Sequence, residues 1–190
     1  MRAFIAVKIE PTLLAEVGRV QRKIETAVPA NSVRWTRPDQ IHLTLKFLGE
    51  VPGEKLEELA RSLQRACADG PALPLSLEGA GCFPGPRNPR VVWVGIAGEV
   101  EGLRQLQARI ELHTAAFGAP PEEREFRPHL TIGRVKARDG RTARRIGEAI
   151  QTAKVEQLGE WTVREVVLFQ SQLTPQGALH AERAVVPLAG

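Results

Sequence analysis

The sequence predicts an α+β protein: a duplicated unit whose two antiparallel sheets line a central cleft, with helices on the outside. Two observations carry this expectation. The tetrapeptide His42-Leu43-Thr44-Leu45 returns as His129-Leu130-Thr131-Ile132, and the copies lie 129 − 42 = 87 residues apart in a chain of 190. Strand-like and helix-like segments also run in a similar order around each copy.

The elements follow in order. Residues 3–9 are apolar and β-prone and read as a first strand. Pro11 suits the first turn of a helix reaching about Ala27, with Leu13, Leu14, Val17, Val20, Gln21 and Ile24 near helical spacing. A turn at Pro29-Ala30-Asn31 precedes a short strand from Val33 to Trp35. Pro38-Asp39 turns the chain into the first motif strand, Ile41 to Leu48, which Gly49 ends. A helix over 53–68 buries Leu56, Leu59, Ala60 and Leu63.

The second half opens with a strand over 73–78, then a loop rich in glycine and proline from Gly79 to Pro89. Val91 to Ile96 is strongly β-prone. A helix over 100–117 carries Leu103, Leu106, Ile110 and Ala116 on its apolar side. The loop Gly118-Ala119-Pro120-Pro121 and a charged stretch lead to the second motif strand, 128–135. A helix over 142–152 and two strands, 161–170 and 179–186, complete one compact domain spanning 1–190 as two pseudo-symmetric lobes.

An apolar fraction of 43% with 26 basic and 22 acidic residues describes a folded chain, not a disordered one. No apolar run approaches the roughly 18 residues of a membrane span, and the N-terminal segment reads as a strand rather than a signal peptide. Neither a membrane partner nor secretion is expected, so the cytoplasm is the predicted location. Cys67 and Cys82 match no metal spacing and read as buried free thiols. A net charge of +4, mostly arginine on the basic side, favours an anionic partner such as RNA or a phosphorylated nucleotide.

Side chains alternate along a strand, so His42 shares a face with Thr44, and His129 with Thr131, while Leu43, Leu45, Leu130 and Ile132 point into the core. Opening a cyclic phosphodiester needs a base for water, an acid for the departing ribose oxygen and donors for the phosphoryl oxygens. Imidazole serves both proton transfers near neutrality, and threonine hydroxyls can hold the oxygens. The scheme needs neither a metal nor a cofactor. In a regular strand Lys46 continues the His42 face, Arg127 lies on the His129 face, and Gly133 leaves room for a ligand there. Arg134 would reach that face only through a twist or bulge. His113 and His180 repeat no pattern and receive no primary role.

At these residues the chain resembles the 2H phosphoesterases, and within them the bacterial and archaeal RNA 2′,3′-cyclic phosphodiesterases, also described as 2′-5′ RNA ligases. The resemblance extends from Arg2-Ala3-Phe4-Ile5-Ala6-Val7 through Val33-Arg34-Trp35, the two motif strands and Pro89 to Gly95, to Leu168 to Gly177. It implies hydrolysis of an RNA 2′,3′-cyclic phosphate end to a 2′-phosphomonoester, without metal or ATP; the chain itself is expected to be a monomer. His42 would be the proton donor, His129 the proton acceptor, and Thr44 and Thr131 the phosphate anchors; Lys46 and Arg127, from their strand faces alone, are the further substrate-contact candidates. It also implies that tRNA halves can serve as substrates, with 2′-5′ joining in vitro. One departure stands out: relatives commonly carry Tyr where this chain has His180, and this chain has no Tyr. Two other readings remain open. One is action on a small cyclic phosphate or a 2′-5′ linked oligonucleotide; the other is an RNA-binding module without turnover.

Overall fold

The computed structural model describes residues 1–120, 125–137, 139–174 and 177–189. The elements run β1 (Arg2–Lys8), α1 (Pro11–Glu25), β2 (Val33–Trp35), β3 (His42–Glu50), α2 (Leu56–Cys67), β4 (Leu73–Phe83) and β5 (Val91–Gly98). Then come α3 (Val100–His113), β6 (His129–Val135), α4 (Gly140–Thr152), β7 (Gly159–Val163), β8 (Glu165–Thr174) and β9 (Gly177–Pro187). Part of the charged stretch before the second motif, and Pro175-Gln176 near the end, lie outside the described residues.

Several expected boundaries are corrected. Strand β3 runs past Gly49 to Glu50, and helix α2 begins at Leu56. Helix α3 ends at His113 rather than near Phe117. Strand β4 continues to Phe83, through the glycines expected to form a loop. There Gly81 has no space for a Cβ because the Trp93 ring lies across it, and Gly79 sits at a bulge with φ +70°. The expected strand 161–170 is two strands, divided at Arg164.

One antiparallel sheet, not two, joins these strands in the order β7-β4-β5-β6-β3-β1-β8-β9, with β2 paired to the end of β6. The two motif strands meet at the seam through the pair Leu43–Leu130. Both leucines are fully buried in one shared core, so nothing separates the halves into distinct sheets. The order is a palindrome about this seam: β1 flanks β3 as β5 flanks β6, β8 answers β4, and β9 answers β7. Halves of the sequence are not halves of the sheet, however. The C-terminal strands β8 and β9 extend the side begun by β1 and β3. Helix α1 packs toward β6 while α3 packs toward β3.

The sheet also curls. Only Arg164 separates β7, at one end of the order, from β8, near the other. The Arg164 carbonyl accepts the Leu188 amide at 2.8 Å, and Pro71 bridges Ala189 at the same corner. The four helices bury their apolar faces on one side of this sheet, where Leu59, Leu63, Leu103, Ile110 and Ile146 are inaccessible to solvent. Cys67 is buried there as a free thiol, and burial raises its pKa to about 11. A smaller apolar cluster, Phe4, Ala6, Val167 and Phe169, covers part of the opposite, helix-free face.

Each motif strand carries a bulge at the same place. Against β1, Ala6 faces Thr44 and Ile5 faces Lys46, so Leu45 is the extra residue. Against β5, Trp93 faces Thr131 and Val92 faces Gly133, so Ile132 is the extra residue. A bulge disrupts the ladder locally and leaves polar groups to be satisfied elsewhere. Here one glutamine amide serves each bulge. Gln21 of α1 donates to the Ile132 carbonyl at 2.8 Å and to the Thr36 carbonyl at 2.7 Å. Gln107 of α3 donates to the Leu45 carbonyl at 3.3 Å.

Because Gln21 is buried, Gln21→Leu removes donors from two carbonyls and is expected to destabilise the fold by about 1–3 kcal/mol. A chemical denaturation midpoint equal to the parent's would show that strand pairing alone sets the bulge.

Candidate active site

On the helix-free face, His42, Thr44, His129 and Thr131 are each half-buried, while their neighbours Leu43, Leu45, Leu130 and Ile132 are buried on the core side. The antiparallel pair Leu43–Leu130 fixes the relation between the motifs. In that order His42 is set beside Thr131, and Thr44 beside His129, one residue to either side of the seam. Two imidazoles and two hydroxyls thus share one patch, each projecting from a strand rather than a loop.

The two rings differ in their surroundings. His129 Nδ1 lies 2.6 Å from the Arg127 carbonyl. A carbonyl only accepts, so Nδ1 bears the proton and donates, and the neutral ring keeps a free lone pair on Nε2. Phe83 meets this ring edge-on, with centroids 5.0 Å apart. His42 is more enclosed. Phe4 stacks on it at 4.7 Å, Phe169 stacks on Phe4 at 5.1 Å, and His180 approaches His42 edge-on at 5.5 Å. Burial first, then the neighbouring His180, push the His42 pKa down to about 4, against a hydrogen bond to the Gln40 backbone that favours the charged ring. In the unliganded protein His42 is therefore neutral at pH 7. Burial also lowers the His180 pKa, opposed by Asp39.

The bulges redistribute the remaining sequence candidates. Lys46 does not continue the His42 face. It turns into the protein, where Nζ pairs with Glu111 at 2.8 Å and donates to Thr114 Oγ1 at 3.0 Å. Gly133, its counterpart, also faces inward, and Trp35 and Val33 take up the space beside it, so the missing side chain makes room for core packing rather than for a ligand. One residue later both strands return to the helix-free face. Phe47 is 58% exposed near Phe4. Arg134 is exposed and stands across from Arg34 of β2 and Val91 of β5. The bulge needed to bring Arg134 to this face is present. Arg127 precedes β6, so strand alternation does not place it; its carbonyl serves His129 and its side chain is exposed.

Sequence reasoning did not select Phe4, Phe169 or His180. Phe4 and Phe169 are paired across β1 and β8, a register that no local pattern reveals. For His180 the signal was its departure from the Tyr common among relatives. His113, at the end of α3, takes no part in the site.

Chemically, the patch offers a lone pair at His129, a second imidazole whose charge responds to its environment, and hydroxyl donors from Thr44 and Thr131, with the exposed Arg134 further along β6. Such a set can take a proton, give one and hold an anionic phosphoryl group between.

The chain is 34% identical over 188 residues to the RNA 2′,3′-cyclic phosphodiesterase of Methanothermobacter thermautotrophicus, covering 99% of each protein. It is 33% identical over 187 residues to that of Thermus thermophilus, covering 95% of this chain and 86% of the relative. Among solved structures, that of TT0787 from Thermus thermophilus superposes with a TM-score of 0.76 at 28% identity, over 99% of this chain and 98% of that one. Escherichia coli LigT complexed with 3′-AMP gives 0.77 at 25% identity, over 100% of this chain and 98% of that one. The model of the 2′-5′ RNA ligase superfamily matches residues 10–174, and the chain belongs to that superfamily.

Proposed function

We propose that this protein is an RNA 2′,3′-cyclic phosphodiesterase, hydrolysing a terminal cyclic phosphate to a 2′-phosphomonoester by two-histidine acid–base catalysis. The observation that carries the reading is the pair of His-x-Thr elements set against each other across the Leu43–Leu130 seam on one face of the sheet. Relatives bearing that name span nearly the whole chain.

In this mechanism His129 removes the proton from water through Nε2, which its Arg127 hydrogen bond leaves free. His42 delivers a proton to the leaving 3′ oxygen. It is neutral before substrate binds, so the phosphate charge must raise its pKa, as a nearby opposite charge does. Thr44 and Thr131 hold the non-bridging oxygens in the five-coordinate transition state. Neither proton transfer requires a metal.

The palindromic strand order supports descent of the fold from a duplicated unit, two pseudo-symmetric lobes in one domain. The protein is read as a cytoplasmic monomer, with tRNA halves among its substrates and 2′-5′ joining in vitro as related chemistry, a ribose hydroxyl replacing water. Among the described residues no helix is long and apolar enough to cross a membrane.

A short RNA with a defined 2′,3′-cyclic end, assayed in EDTA without ATP, tests the reading. A 2′-phosphate product is expected, lost by about 10²-fold or more in His42→Ala and in His129→Ala. Near-parental turnover in the double variant would refute the site. A marked preference for a small cyclic phosphate or a 2′-5′ linkage would reassign the substrate.

Protonation provides a second test. His42 moves from an ordinary 6.5 to about 4 on folding, so between those values the unfolded chain binds a proton that the folded chain refuses. Stability is expected to fall as the pH drops from about 6.5 towards 4, by up to about 3 kcal/mol. His42→Gln should flatten that part of the profile in thermal melts. The kinetic limb belonging to His42 should lie at higher pH in kcat than in kcat/KM, because substrate raises its pKa; coincident limbs would contradict the charge coupling.

A further inference from the structure

Positive charge is unevenly neutralised over this molecule. On the side of the sheet built from β3, β1, β8 and β9, and on its helices, most basic side chains have partners. Lys8 pairs with Glu165 and Glu182, Lys55 with Glu58, Arg61 with Glu57, and Arg104 with Glu101. The other side is different at one end. Arg87, Arg90, Lys136, Arg141, Arg144 and Arg145 are all exposed. Among the described residues, none of their side chains forms an ion pair or hydrogen bond. Among the described carboxylates, Glu148 lines the same cavity as Arg87 and Arg144, and Asp139 accepts the Thr142 amide at 2.8 Å at the start of α4.

These groups are brought together by the backbone. The Val135 amide donates to the Arg90 carbonyl at 2.9 Å, tying the end of β6 to the start of β5. Helix α4 sits directly on the Pro84–Pro89 loop, so close that Gly147 leaves no room for a Cβ against the Pro86 carbonyl. Between helix and loop lies a cavity of about 540 Å³ lined by Pro86, Arg87, Arg144, Glu148 and Gln151. The row leads away from the candidate active site. Arg134 stands five positions after His129 on β6, roughly 15 Å along the strand, and Val91, its cross-strand neighbour, directly follows Arg90.

We propose that this basic end, formed by the 84–90 loop, the end of β6 and the first turns of α4, holds the phosphate backbone of single-stranded RNA a few nucleotides from the reacting terminus. The inference rests on the phosphodiesterase reading for the identity of that terminus. Guanidinium groups free of carboxylate partners are suited to bidentate phosphate contacts. Their position in line with the motif strand sets a direction for the chain, with the terminal phosphate at the histidines and the preceding nucleotides running towards α4. Backbone contacts of this kind add affinity without reading sequence and are weakened by salt.

The test compares cytidine 2′,3′-cyclic monophosphate with an RNA of about twelve nucleotides carrying the same cyclic end, a length within single-strand site sizes. The full chain is used, as parent and as the triple variant Arg87→Gln, Arg144→Gln, Arg145→Gln. For the longer RNA, kcat/KM is expected to fall about tenfold or more through KM, and its log–log salt slope to shrink by about 2, near 0.7 for each lost contact. Turnover of the mononucleotide should stay within about twofold, since it does not reach this end. Lys55→Gln, Arg61→Gln, Arg104→Gln, on the opposite side, should change neither substrate. An unchanged longer RNA, or equal losses on both substrates, would overturn the proposal. If the parent turns over neither substrate, the phosphodiesterase reading fails separately. Fluorescence anisotropy with uncyclised RNA of the same length then decides the surface: binding lost in the triple variant supports it, and equal or absent binding refutes it.

Discussion

The carbonyls of Leu45 and Ile132 are the fixed points about which the face of the sheet is organised. Each belongs to the extra residue of a bulge, and each accepts from a glutamine on a helix that has crossed from the other side of the seam. Without the extra residue, alternation would place Lys46 and Gly133 beside the motif residues and drive Phe47 and Arg134 towards the core. With it, a lysine is drawn inward to Glu111 and Thr114, and an arginine is released outward. The same device occurs on both sides of the palindrome. The elements that satisfy it, α1 and α3, are also counterparts. The histidines hold their mutual position because these crossing helices brace both strands at once.

Symmetry of backbone does not extend to symmetry of environment. One histidine is packed against stacked phenylalanines and a third imidazole, and burial suppresses its charge. The other meets one phenylalanine edge and has its tautomer set by a backbone carbonyl. Two copies of one motif can therefore take opposite parts in a proton-transfer reaction. The difference arises from Phe4, Phe169 and His180, none of which belongs to either motif.

Much of this was legible in the sequence. The repeated His-x-Thr pattern gave the histidine and threonine faces and the buried leucines, because alternation holds over those four residues. It failed at the fifth, since a bulge is set by pairing with a distant strand and by a glutamine on another helix, neither visible locally. The division at Arg164 was hidden for a related reason: Val163 and Glu165 both fit an extended strand, and only their different partners separate them. The glycines of β4 read as loop residues because their reason for being small, the Trp93 ring lying across Gly81, is a tertiary contact. The expectation of two sheets followed the repeat faithfully, but it did not anticipate that both apolar faces would share one core.

The pairing of β1 with β8 has a consequence for how the chain comes into being. Arg2 is opposite Ser171, so 171 − 2 = 169 residues separate partners in adjacent strands. Contacts so distant in sequence slow folding, because a long loop must close before they form. During synthesis, Phe4-Ile5-Ala6-Val7 is made well before β8, so one edge of its strand stays open while the residues between them are added. An apolar strand with an unpaired edge is a template for association with other chains. The hazard for this protein therefore lies on the ribosome, in the interval before β8 arrives to close that edge.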